Sequence, residues 1–92
     1  MDDHYACIMK VHSSSEAHFK ECAKRYQDNI RRDPKKICLW TEDYLHCDVR
    51  PFSQCSADAK QTMCEALREG LQQISSLKSC HLRCEPVALV YH

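Results

Sequence analysis

Eight cysteines in a chain of 92 residues set the first limit on what this sequence can fold into. A domain of this size buries only about 60–65% of its unfolded surface, so its apolar core is a marginal source of stability. An even cysteine count supplies covalent constraint wherever the compartment is oxidising. Structural zinc would normally show paired C-x-x-C knuckles. None occurs among Cys7, Cys22, Cys38, Cys47, Cys55, Cys64, Cys80 and Cys84. All eight are therefore expected in disulfides, and the protein is expected to be secreted and extracellular. The start, Met1-Asp-Asp-His, carries acid and no apolar run of signal-peptide length, so the chain reads as a mature protein.

Between the cysteines the pattern is helical. Ser13 followed by Glu16 has the form of a capping box, which opens a helix. Phe19, Cys22, Ala23, Tyr26 and Ile30 then recur at steps of three and four. Glu16 before Lys20, Glu21 before Arg25 and Asp28 before Arg32 are acid-first pairs four apart on the exposed face. Asp33-Pro34 closes this helix and opens the next, with Asp33 as N-cap. The second helix runs from Pro34 to about Cys47, and Trp40 and Tyr44 are expected in the core. Asp48 to Cys55 is a connection marked by Pro51, and Ser56 caps a third helix with Asp58 in its first turn. Cys64, Leu67, Leu71 and Ile74 form its packing seam, with Gly70 beside it at a close backbone approach.

Two apolar stretches flank these helices. Residues 5–11 are too short for periodicity to separate a strand from a helical turn. Val87-Ala-Leu-Val-Tyr91 has strand chemistry. The expected fold is thus all-α: one domain over residues 1–92, a small disulfide-stapled bundle of three main helices with short extended or irregular termini. Open strands at the two ends would pair within the monomer or in a twofold homodimer covering Leu89 and Tyr91.

Helix geometry restricts the disulfides. Cys38 and Cys47 lie about 13.5 Å apart along one helix and cannot bond each other. Folding the first hairpin brings Cys22 towards Cys47, and folding the second brings Cys38 towards Cys64. Cys7 and Cys55 share the opposite end of the bundle. Cys80 and Cys84 remain, able to bridge only outside regular helix, and bonding of Cys7 or Cys55 into that segment is the competing arrangement.

Functional chemistry is sparse. With one glycine the chain has no room for a phosphate-cradling loop, and H-E-x-x-H and G-x-S-x-G are missing. The histidines His4, His12, His18, His46, His81 and His92 are scattered, and Glu42-Asp43 diverges on a helix. No catalytic residue, cofactor or metal site is expected. A formal net charge of zero argues against nucleic acid as a partner, and no segment approaches the ~20 apolar residues of a membrane span. One local excess of charge exists: Arg31, Arg32, Lys35 and Lys36 at the first helix turn form a candidate partner-binding corner.

The segment Cys22-x15-Cys38-x8-Cys47-x7-Cys55-x8-Cys64, with Tyr26 after its first cysteine and Tyr44 three before Cys47, resembles the cysteine-rich helical domains of secreted animal proteins. Among these it is similar to the con-ikot-ikot-type venom proteins of cone snails and their saposin-like relatives, from which this chain departs in having no adjacent Cys-Cys pair and fewer cysteines. The resemblance implies a non-enzymatic toxin or secreted ligand that acts on a protein target, a membrane receptor or ion channel, as a homodimer. A saposin-like lipid-binding or membrane-active protein is the alternative, against which stands a mean hydropathy of −0.58.

Overall fold

The computed structural model describes residues 3–84 and contains four α-helices, with no strand among the described residues. They are α1 (Asp3–Ser14), α2 (Glu16–Arg32), α3 (Ile37–Val49) and α4 (Ala57–Leu71). Short 3-10 turns at Pro34–Lys36, Arg50–Gln54 and Ser75–Leu77 connect or follow them. The tail at 87–91, with its expected strand and dimer contact, lies outside the described residues.

α1 is a full helix where a short extended or irregular terminus was expected. Its burial explains the choice: Cys7, Ile8 and Val11 turn inward at helical spacing, while Tyr5 and Met9 are 62% and 52% exposed. Alternating burial, which a strand needs, is absent from this run. A dimer built from strands at both ends therefore loses one of its two strands.

The capping box does not form either. Ser13 lies inside α1, where its hydroxyl donates back to the Lys10 carbonyl at 3.2 Å. Ser15 is the junction, and no side chain caps α2. At the far end Asp33 takes the extended conformation demanded before proline, φ −149° and ψ 80°. It opens the next turn through its carbonyl, which accepts from Lys36 N and from Trp40 Nε1, rather than through a side-chain cap. Ser56 does cap α4, accepting from Ala59 N at 2.9 Å.

All eight cysteines are bonded: Cys7–Cys55, Cys22–Cys47, Cys38–Cys80 and Cys64–Cys84. That is the state an oxidising compartment preserves, consistent with an extracellular protein. Cys22–Cys47 is the pair expected from the hairpin, and Cys7–Cys55 the one expected at the opposite end of the bundle. The expected Cys38–Cys64 bond is replaced because the segment Cys80–Cys84 is extended and lies against the bundle. Cys80, Leu82 and Cys84 are buried while His81 and Arg83 are exposed, the two-residue period of an extended chain. Over that span it advances about 13 Å, so one strip serves Cys38 and Cys64 separately. The Gln72 amide donates to the Cys80 carbonyl at 2.8 Å, and His46 Nε2 to the Arg83 carbonyl at 2.7 Å, fixing both ends of the strip.

The apolar core is built around Val11, Leu45, Val49, Phe52, Leu77 and Leu82, with Leu67 and Leu71 against it. Ile74, expected in the seam, is 48% exposed because α4 stops at Leu71. Gly70 is also exposed, with nothing within 4 Å of where a Cβ would stand, so no close approach explains it. Trp40 and Tyr44 are half-buried at the edge of α3 rather than in the core.

Candidate functional site

The contact between α2 and α3 is polar at its centre. Thr41, wholly buried at 0% exposure, donates its hydroxyl proton to the Ile37 carbonyl at 2.7 Å. That proton is then committed, so the Tyr26 hydroxyl, 2.6 Å from Thr41 Oγ1, is the donor of that pair. The Tyr26 ring stacks on Tyr44, with centroids 4.8 Å apart. Arg25 crosses to Asp43 at 3.0 Å instead of pairing with Glu21. The Glu16–Lys20 pair forms at 3.4 Å, whereas Asp28 faces Lys24 and Arg31 rather than Arg32.

The basic corner is brought together at the α2–α3 turn, partly neutralised. Arg31 lies 4.0 Å from Asp28 and Lys36 lies 3.9 Å from Asp33. Arg32 donates to Asn29 Oδ1 at 2.8 Å, and its guanidinium sits 5.4 Å from the centre of the Trp40 ring. Lys35 is exposed and makes no ion pair with a described residue. Exposed pairs of this kind contribute between about 0 and 1 kcal/mol each, so the corner costs little to rearrange around a partner.

One group with metal-ligand atoms also forms, His18 with Cys22 and Cys47, all within 4.8 Å. Both sulfurs are spent in the Cys22–Cys47 bond. His18 Nε2 lies 2.7 Å from the Cys47 carbonyl, an oxygen that can only accept, so this nitrogen carries the proton. As folded and oxidised, the group is a clasp between helices. Its local signal in the sequence was His18 four residues before Cys22, one helical turn away.

A further site is a cleft of about 550 Å³ beside α3, reached by residues from α1, α2, α3, α4 and the Arg50–Gln54 turn. Val49 and Phe52 are buried and make its floor. Phe19, Met63 and Leu67 are half-buried walls, and Phe19 stacks on Phe52 with centroids 6.0 Å apart. Exposed Ala66 and His12 stand at the rim. Its size falls within the range of small-molecule sites, about 300–1,000 Å³.

Two titratable groups of α3 break the apolar lining. Asp48 is half-buried and has no hydrogen bond or ion pair to a described residue. Burial pushes its carboxyl above the ordinary carboxylate range, while His18 and His12 pull it partway back. Burial likewise raises the Tyr44 hydroxyl, and the charges of Asp48 and Tyr26 add to the effect. From the sequence Asp48 and Phe52 belong to a connection, Phe19 to a core stripe and Leu67 to a seam. Nothing local joins them, because the cleft is assembled from five elements. No protein-family profile matches this chain, and no curated protein or solved structure matches it either.

Proposed function

We propose that this protein is a secreted, non-catalytic binding protein whose cleft takes a small apolar or amphipathic molecule. The observation that carries the reading is the cleft itself: about 550 Å³ with an apolar floor, in a bundle tied by four disulfides. Covalent ties hold such a cavity in shape before the ligand arrives and so lower the ordering cost of binding. The lipid-carrier alternative shares this cavity and differs from it only in ligand class. Ala66→Trp would plug the rim from an exposed position. Saturable binding of the neutral fluorophore N-phenylnaphthylamine is expected for the parent and lost in that variant; unsaturable binding, or binding unchanged by the plug, would remove the cleft from consideration.

A second reading rests on the basic corner, where Arg32 is already ordered on Trp40 and Lys35 has no acidic partner among the described residues. It makes Arg31, Arg32, Lys35 and Lys36 the contact to an acidic surface on an extracellular protein target, a membrane receptor or ion channel of the kind the toxin resemblance implies. Charge reversal at the four positions is expected to abolish block or modulation on a receptor and channel panel. An undiminished response would leave the corner a solvated helix end.

A further inference from the structure

We infer that the ligand of this five-element cleft is a small organic cation, an ammonium group carrying apolar substituents, held with its charge against Asp48 and its apolar part on the aromatic lining. The inference rests on the cleft reading above and adds the chemical class of what enters.

It begins with the placement of Asp48. A carboxylate withdrawn from water costs free energy unless a counter-charge or hydrogen-bond donors meet it. Asp48 is half-buried in the wall of an apolar cleft, and no lysine or arginine of the described chain lies within ion-pair distance of it. His12 on α1 and His18 on α2 act on it from outside the cleft floor, but neither is within ion-pair distance, and His18 spends its Nε2 proton on the Cys47 carbonyl. No described side chain pairs with this carboxylate, which leaves it open to a cationic group from outside the chain.

The surroundings of Asp48 narrow that complement. Phe19, Tyr44 and Phe52 place three aromatic rings on the same cleft, and an ammonium group is attracted to such rings as well as to the carboxylate. A hard inorganic cation is a poor match, since calcium takes six to eight oxygen ligands and one carboxylate among phenyl rings does not offer them. A fatty acid or other anionic amphiphile would set a second negative charge beside Asp48. Met63, Leu67 and Val49 give the apolar substituents of a cation a surface to cover, with Met63 able to adapt its shape.

Phenyltrimethylammonium and its uncharged carbon isostere tert-butylbenzene have nearly the same shape and test the charge alone. Both would be titrated into the full disulfide-bonded chain at neutral pH, following the backbone amides of Asp48, Val49, Ala66 and Leu67 by proton–nitrogen correlation NMR. The expected result is saturable shifts at these amides, with the cation binding at least about tenfold more tightly than the isostere, the discrimination a desolvated cation–aromatic and ion-pair contact provides. That preference should disappear in Asp48→Asn, which keeps the side-chain shape. Equal affinity for the two probes would overturn the cation while leaving the cleft a binding site. Absence of shifts with either probe would overturn both the cation and the cleft. A preference that survives in Asp48→Asn would remove Asp48 as its source and overturn the inference as stated.

Discussion

Helix α3 is held on its two sides by opposite chemistry. Towards α2 the contact is made by the chain Tyr26–Thr41–Ile37, by the His18–Cys47 hydrogen bond and by the Cys22–Cys47 bond. Towards α4 and the C-terminal strip it is made by Leu45, Val49, Phe52, Leu77 and Leu82. Hydrogen bonds are directional, so they admit one register and leave little freedom in how two helices meet. Apolar contact is not directional, and it tolerates imperfect filling at a cost set by the exposed area. The open cleft lies where the two sides meet, its lining running from Phe19 of α2 across Val49 and Phe52 to Leu67 of α4. Every buried side-chain polar atom among the described residues has a partner, so the polar seam is complete.

The largest expected contrast between the sides is covalent. Replacing Cys38 and Cys80 together by serine opens a closed loop with a sequence separation of 42, against 25 for Cys22 and Cys47. Chain-entropy estimates give losses of about 4 and about 3.5 kcal/mol. The real gap should be wider, since the α2–α3 seam keeps its hydrogen bonds and the strip loses an anchor. Denaturant unfolding of the two double variants measures it, and a larger loss for Cys22 and Cys47 would reverse the comparison.

A smaller effect probes the seam directly. Thr41→Val keeps the shape of a fully buried side chain and strands the Tyr26 hydroxyl, with an expected loss of about 1–2 kcal/mol. Adding Tyr26→Phe should cost less in that background than in the parent, because the two groups share one interaction. Strict additivity in equilibrium unfolding would mean that the hydroxyls do not act as a pair.

How much of this architecture was legible in the sequence follows the same division. The α2 stripe of Phe19, Cys22, Tyr26 and Ile30 was readable because seventeen residues give the helical period room to declare itself. Cys22–Cys47 was readable because one hairpin with a fixed turn at Asp33-Pro34 sets it. Residues 5–11 span too few turns to choose a period, and their helix depends on Cys7, Ile8 and Val11 reaching a core built by others. Cys38–Cys80 and Cys64–Cys84 required knowing that Cys80–Cys84 is extended. The alternation of Cys80, Leu82 and Cys84 with His81 and Arg83 carried that signal, but five residues are few to weigh against a helix-rich chain. The cleft was not legible at all: Asp48 gains its setting from Phe19, thirty residues earlier in the chain than Val49, and from Leu67 on another helix.

The smallest expected effect sharpens the comparison from the apolar side. Asp48 titrates higher in the folded chain than in the unfolded one, so its ionised form subtracts from stability at neutral pH. That loss is relieved as pH falls through the folded-state value and is gone below the ordinary carboxylate value. Asp48→Asn should therefore be the more stable protein at neutral pH, with the difference shrinking on acidification. Unfolding midpoints at neutral and acid pH check it, and a variant less stable at neutral pH would reveal a partner for the carboxylate.

The disulfide order has a consequence for how the molecule fails. Cys7–Cys55 bridges every peptide bond from residue 7 to residue 55, Cys38–Cys80 every bond from 38 to 80, and Cys64–Cys84 every bond from 64 to 84. These rings overlap like links in a chain, so no single backbone cut between Cys7 and Cys84 separates the protein into pieces. A protease that nicks an exposed turn leaves both halves tethered, with α3 and α4 still joined through the strip. Damage and dismemberment become separate events, and the second waits on a reductant or on further cuts.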